Sequence, residues 1–256
     1  MFKTFLYLVI KEIIVFLKTY KSKFVDLVII ISTNIIVFTF IMPSFGLSTN
    51  FGAPIAIGVI SALALFESIP RTTTLLTDIV GPRKISYIIT LPIPSSLAIA
   101  SLGVSWAANG FLYTVLVLPL VKLFMLSKLN LVSFSLIKFF IAFVSSHLMF
   151  GFFSLWLTTL LKDMKYVSFI WARVVNPMFM LGGYFYTWKA IFSLNHLAGY
   201  VNLVNPLIYS TESIRSAVFG AKDYIPFGYS ILALWFLILF FAFLGIRGIK
   251  KRLDCV

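Results

Sequence analysis

The chain has 256 residues, 61% hydrophobic and only 11% charged, with a net charge of +13 and a mean hydropathy of +1.04. A soluble domain of this size averages roughly 45–50% apolar and 25% charged residues, so a water-soluble globule is excluded. Nucleic-acid binding is not expected either: the cations sit in loops and tails between apolar blocks, as the positive-inside rule requires, and do not form a phosphate-binding patch.

A bilayer core of ~30 Å takes ~20 apolar residues per helical crossing. Lipid also requires every backbone polar group to be satisfied within the segment or in a closed barrel. Barrel strands alternate over ~10 residues, whereas the blocks here are continuous. The expected fold is therefore an all-α polytopic membrane protein with six transmembrane helices, at 24–45, 51–66, 95–119, 138–160, 166–188 and 228–246, forming one transmembrane domain over 1–256.

Residues 1–23 repeat apolar side chains at helical spacing (Phe2, Phe5, Leu6, Val9, Ile13, Phe16, Leu17) among Lys3, Lys11, Lys18, Lys21 and Lys23. That pattern predicts an amphipathic helix in the headgroup plane. Lys11 and Glu12 interrupt its apolar run, and no small-residue cleavage site follows it, so it reads poorly as a signal peptide. Pro43, Gly46, Ser48, Asn50 and Gly52 predict a short turn into the second span. The stretch 67–90 then carries Glu67, Arg71, Asp78, Arg83 and Lys84 among apolar residues, punctuated by Pro70 and Gly81-Pro82. It is too charged to cross and too apolar for a free loop, which predicts an interfacial element. The segment 189–227, broken by Asn195, Asn202, Asn205-Pro206, Glu212, Arg215, Lys222, Asp223 and Pro226, is expected to form short helices at or dipping into the other face.

Fourteen Lys and Arg residues (3, 11, 18, 21, 23, 71, 83, 84, 162, 165, 247, 250, 251, 252) lie on one side of this arrangement and five (122, 128, 189, 215, 222) on the other. The bias predicts cytoplasmic N and C termini, a cytoplasmic 67–90 element and an outward 189–227 segment. A single cysteine, Cys255, leaves no internal disulfide or cysteine metal cluster. No phosphate loop, His-Glu-x-x-His pattern or nucleophile elbow is present, so neither ATP hydrolysis nor metal binding is expected in this chain. His147 beside Ser145 and Ser146 reads as a packed helix histidine, since adjacent helix residues do not face each other. No carboxylate falls well inside an expected span beyond Asp26 at the start of the first, which disfavours an ion-driven carrier.

The run "NPLIYSTESIRSAVFG" over 205–220, together with the charged element after the second span that closes in "LPIP" at 91–94, resembles the membrane subunit of type-2 ATP-binding-cassette exporters. The family's outer motif is approximately N-P-x-x-Y-x-x-E-x-x-R, and Asn205, Pro206, Tyr209, Glu212 and Arg215 match it at every spacing. Family members often carry a Glu- and Arg-rich, Gly-containing run where this chain has "RTTTLLTDIVGPR".

The resemblance implies a cytoplasmic coupling helix whose Glu67, Arg71, Asp78, Arg83 and Lys84 contact a separate cytosolic P-loop ATPase carrying ATP and Mg. It also implies outer re-entrant helices with an outer gate at Asn205, Pro206, Tyr209, Glu212 and Arg215, and a second permease copy paired through spans one and five. Tyr209, Glu212, Arg215 and Ser216 share one helical face, where Glu212 and Arg215 can pair across a turn. Arg173, Asn176, Tyr184 and Tyr186 are candidates for a substrate path. Arg173 can also snorkel, and the aromatics can serve as an interfacial belt. The expected function is export of an amphipathic substrate (drug, lipid or lipid-linked glycan) across a bacterial inner membrane. The alternatives are a self-sufficient secondary transporter or channel, or a lipid-modifying membrane enzyme.

Overall fold

The computed structural model describes residues 1–46 and 52–254, with the side chains of Ser127 and Asp254 left aside. Ser48 and Asn50 of the expected turn, the Phe51 start of the second block and Cys255 lie outside the described residues. Ten helices organise the described chain: α1 Phe2–Ser44, α2 Gly52–Val80, α3 Lys84–Ile89, α4 Ser95–Met125, α5 Leu136–Leu160, α6 over 167–181, α7 Trp188–Leu194, α8 His196–Asn202, α9 Pro206–Phe219 and α10 Phe227–Asp254. Five of them (α1, α2, α4, α5 and α10) are long and apolar enough to cross a membrane.

Helix α1 corrects the first expected boundary. The structure draws no break near residue 24; one helix of 43 residues, about 64 Å at 1.5 Å per residue, runs through the basic opening and the first apolar block. Lysine is a good helix former, and residues 2–42 contain neither glycine nor proline, so nothing ends the helix where its polarity changes. A π turn over Ile36–Ile41 ends two residues before Pro43, and a second, Trp171–Val175 in α6, ends two residues before Pro177. A proline ring clashes with the carbonyl four residues earlier, and a widened turn relieves that clash.

Helix α2 joins the second block to the stretch after it: its segments Gly52–Phe66 and Ser68–Val80 meet at Glu67, and the second packs into the bundle, burying Leu75, Leu76 and Ile79. The Thr72 hydroxyl donates to the Ser154 carbonyl of α5 at 3.2 Å. The 67–90 element expected at a membrane face is thus built of Ser68–Val80, the tip 81–83 and the short helix α3. Pro70 falls in the first turn of its segment, where its missing N–H costs little.

The expected fifth span, 166–188, is a shorter helix that stops at Gly182-Gly183. Gly183 turns the chain at φ +72°, a conformation open to glycine.

Small residues allow close crossings in the bundle. Gly103 of α4 faces Phe152, a Cβ on Gly151 of α5 would stand 2.4 Å from the Gly103 carbonyl, and Gly245 and Gly248 of α10 ride over 155–159. At the end of α5, Arg252 of α10 donates to the carbonyls of Thr158 and Lys162 at 3.1 and 3.0 Å. One apolar cluster runs through α2, α4, α5 and α10; a second joins α1 to α2, α4 and the start of α5.

Candidate functional site

Helix α9 is the most heavily buried of the short helices, and the side chains of Asn205, Tyr209, Glu212 and Arg215 all bond to backbone. Asn205 caps it, accepting the Leu207 N–H at 3.0 Å, while its side-chain amide donates to the Met178 carbonyl at 2.8 Å. Pro206 follows at the first helical position, where no N–H is needed. The Tyr209 hydroxyl donates to the Leu203 carbonyl at 2.7 Å. Glu212 accepts the Trp188 N–H at 3.1 Å and the Ile225 N–H at 2.8 Å. Arg215 donates from Nε to Pro54 (2.8 Å), from Nη1 to Tyr186 (3.0 Å) and Gly183, and from Nη2 to Tyr184 (2.6 Å).

The expected Glu212–Arg215 ion pair is not formed: among the described residues the ion pairs are Lys11–Glu12, Lys23–Glu67 and Arg71–Glu67. Both side chains are buried within the protein, Glu212 at 0% and Arg215 at 1% exposure. The reason is geometric. The start of α2 at Pro54, the turn at 183–186, the start of α7 at Trp188 and the loop at Ile225 converge on α9, and the two charged side chains bond to their backbone groups from the centre. Charge-assisted bonds of this kind are about twice as strong as neutral ones. In the loop beyond α9, the Tyr224 phenol is pushed up to about 12 by burial, with Arg215 opposing and Glu212 and Asp223 adding to the rise.

Of the five expected coupling charges, the structure leaves two outward. Arg83, in a left-handed conformation at φ 53°, and Lys84 are exposed at the tip between α2 and α3. Asp78 instead accepts the Lys84 and Ile85 N–H groups at 2.9 and 2.7 Å, capping α3 from a turn away. Glu67 and Arg71 face inward and leave the surface set. Lys23 Nζ lies 2.6 Å from Glu67 Oε1, Arg71 Nη2 lies 3.9 Å from Oε2, and Arg71 is 8% exposed.

This inward group forms a polar cluster that the sequence did not signal. Lys23 and Glu67 fall near the midpoints of Phe2–Ser44 and Gly52–Val80, and His147 near that of Leu136–Leu160. A Cβ on Gly110 would stand 2.8 Å from the His147 ring and 3.0 Å from the Arg71 guanidinium, so these two side chains meet over a glycine. His147 Nδ1 contacts the Phe143 carbonyl at 2.7 Å and Nε2 the Thr114 hydroxyl at 2.8 Å. Since Nδ1 faces a carbonyl, it carries a proton; the Thr114 hydroxyl also lies 2.9 Å from the Gly110 carbonyl, and its single proton is shared between that oxygen and Nε2. Lys23 also lies 5.1 Å from the Tyr113 ring centroid. The sequence pattern does not signal this cluster, because Lys23 and Glu67 lie 44 residues apart at the edges of apolar blocks.

The expected path residues divide. Arg173, 4.8 Å over the Phe169 ring, and Asn176 are exposed on α6. Tyr184 is buried, with its hydroxyl bonded to Asn34 of α1. Tyr186 is half-buried and accepts from Asn202 Nδ2 at 2.7 Å. The four do not form one surface. No group of three or more metal-ligating side chains occurs among the described residues.

Comparison with models of known protein families, with curated proteins and with solved structures gives no match.

Proposed function

We propose that this chain is the membrane-spanning permease half of an ATP-driven exporter, moving an amphipathic substrate outward across a bacterial inner membrane. Both termini then face the cytoplasm. ATP and Mg belong to a separate cytosolic P-loop ATPase that docks on the exposed Arg83–Lys84 tip, and a second permease copy pairs through the outer faces of α1 and α6. The observation that carries this reading is the motif helix α9. Four of the five matching residues, Asn205, Tyr209, Glu212 and Arg215, bond through their side chains to backbone, and Pro206 holds the first helical position, as a family signature with a structural job requires; chance matches on a surface helix would not be so engaged.

The test is gentle solubilisation of the tagged chain from native membranes, with identification of what co-purifies in stoichiometric amount. A P-loop ATPase that is lost on Arg83→Glu/Lys84→Glu supports the reading. A chain that purifies alone from several mild detergents overturns it.

A second reading is favoured by one observation, the Lys23–Glu67–Arg71 group packed between helices long and apolar enough to cross a membrane. Ionisable groups facing the interior of such a bundle mark coupling-ion or substrate paths, so the alternative is an ion-gradient transporter needing no ATPase. Proteoliposomes of the chain alone decide it: proton flux on imposing a pH gradient, abolished by Glu67→Gln, would displace the exporter reading.

A further inference from the structure

The opening of α1 has two unlike sides. Val9 is buried, Ile13 shares a groove with Val104, Ala107 and Phe111 of α4, and Phe16 packs against the cluster that holds Tyr113 and Val117. The apolar stripe that a free interfacial helix would lay in lipid is thus taken up by protein. At 3.6 residues per turn, Lys3, Lys11, Lys18 and Lys21 fall within an arc of ~80° on the opposite side, over a rise of ~27 Å, and all four are exposed. Lys3, Lys18 and Lys21 enter none of the ion pairs among the described residues, and Lys11 only a loose one, 3.7 Å from Glu12. Tyr7 and Ile14 lie within the same arc, and Leu6, Ile10 and Leu17 line one flank of it, all exposed.

We propose that this lysine face of α1 binds the headgroups of anionic phospholipids, its ammonium groups on the phosphates and the flank of Leu6, Ile10 and Leu17 against the acyl chains. Two observations choose a bilayer over a soluble polyanion or an acidic protein. Lys21 sits within one turn of Phe24, where the apolar block of the same unbroken helix begins, so the lysines are tethered to a segment long and apolar enough to cross a membrane. Apolar side chains exposed beside the cations suit the headgroup–acyl boundary, where a lysine stem covers apolar surface and its ammonium reaches out. A soluble polyanion would answer the charges and leave Leu6, Ile10 and Leu17 in water. The arc holds no Asp or Glu, so a zwitterionic headgroup, with no net charge, gains little there, whereas each juxtamembrane lysine adds attraction to an anionic one. The inference goes beyond the exporter reading and holds whatever the chain transports.

The experiment reconstitutes the full chain in phosphatidylcholine bilayers with a trace of spin-labelled phosphatidylglycerol or spin-labelled phosphatidylcholine, and electron spin resonance reads the motionally restricted fraction of each label. A preference of about threefold for phosphatidylglycerol is expected at low salt, screened toward unity in 1 M salt, where the Debye length is about 3 Å. Lys3→Gln/Lys11→Gln/Lys18→Gln/Lys21→Gln should remove most of the preference, and arginine at the same four positions should keep it. Lys250→Gln/Lys251→Gln, which removes exposed cations from the end of α10, should leave it in place. Equal restriction of the two labels by the unaltered chain, or an unchanged preference in the four-glutamine variant, overturns the inference. So does an equal loss in the α10 variant, which assigns the effect to net charge. An acidic protein that co-purifies with the unaltered chain and is lost from the four-glutamine variant, with the lipid preference kept, also overturns it and assigns the face to a protein partner. Co-purification of an ATPase, tested at Arg83 and Lys84, is independent of each of these outcomes.

Discussion

Arg215 offers the sharpest test of the α9 clamp. Arg215→Met keeps an apolar stem of similar length and removes the guanidinium, leaving the carbonyls of Pro54, Gly183, Tyr184 and Tyr186 without their shared donor. Hydrogen bonds to charged groups are worth about 1.5–3 kcal/mol each, but four bonds from one side chain do not add independently. Removing one member of a buried charged network typically costs about 3–5 kcal/mol, and that is the expected loss here. At roughly 2–4 °C per kcal/mol for a chain of this size, the drop in apparent Tm is on the order of 10 °C. Heating purified protein in detergent and scoring the remaining monodisperse fraction by size exclusion measures it. Arg173→Met on the exposed face of α6 is the control and should stay within about 0.5 kcal/mol of the unaltered chain. Arg215→Lys should fall between the two, because an ammonium cannot reproduce the fork that reaches Pro54 and Tyr184 together. An Arg215→Met protein as heat-stable as the Arg173→Met control would refute the clamp.

Three further outcomes follow from the same geometry. Lys23→Met and Glu67→Gln should each destabilise the chain and, combined, show a coupling energy of about 1–3 kcal/mol in a double-mutant cycle; strict additivity would mean the 2.6 Å pair is not maintained in the membrane. Asp78→Ala removes the acceptor of two α3 N–H groups and should cost about 1 kcal/mol, read as faster tryptic cleavage at Arg83 and Lys84; an unchanged cleavage rate would show that α3 does not need the cap. Gly151→Ala places a methyl 2.4 Å from the Gly103 carbonyl and should cost about 1–3 kcal/mol by overpacking, seen as a lowered detergent Tm, whereas an unchanged Tm would mean that α4 and α5 are free to move apart.

Much of α9 was legible before folding. Asn205-Pro206 marks a helix start by local chemistry alone, since an amide cap followed by proline is written in adjacent residues. The partners of Glu212 and Arg215 were not legible. Their i, i+3 spacing pointed to each other, but the backbone groups they satisfy come from residues 54, 183–188 and 225, which only the folded chain brings near. The same limit applies to Lys23 and Glu67, separated by 44 residues. Counting charge along the chain assigns each to a membrane face, whereas pairing makes both tolerable inside.

Sequence alone determined that this chain is helical and apolar over lengths that match a bilayer, because burial in lipid is decided by composition and hydrogen bonding within each segment. It also determined where capping and proline chemistry act, since those depend on neighbours within a turn. Tertiary structure decided which charges face inward, that the basic opening is one continuous helix with the first apolar block, that α2 runs on past Glu67 to Val80, and that the stretch before α7 stops at Gly182-Gly183. These outcomes depend on which distant backbone and side-chain groups come within about 3 Å of one another, and no local pattern in the chain specifies that distance.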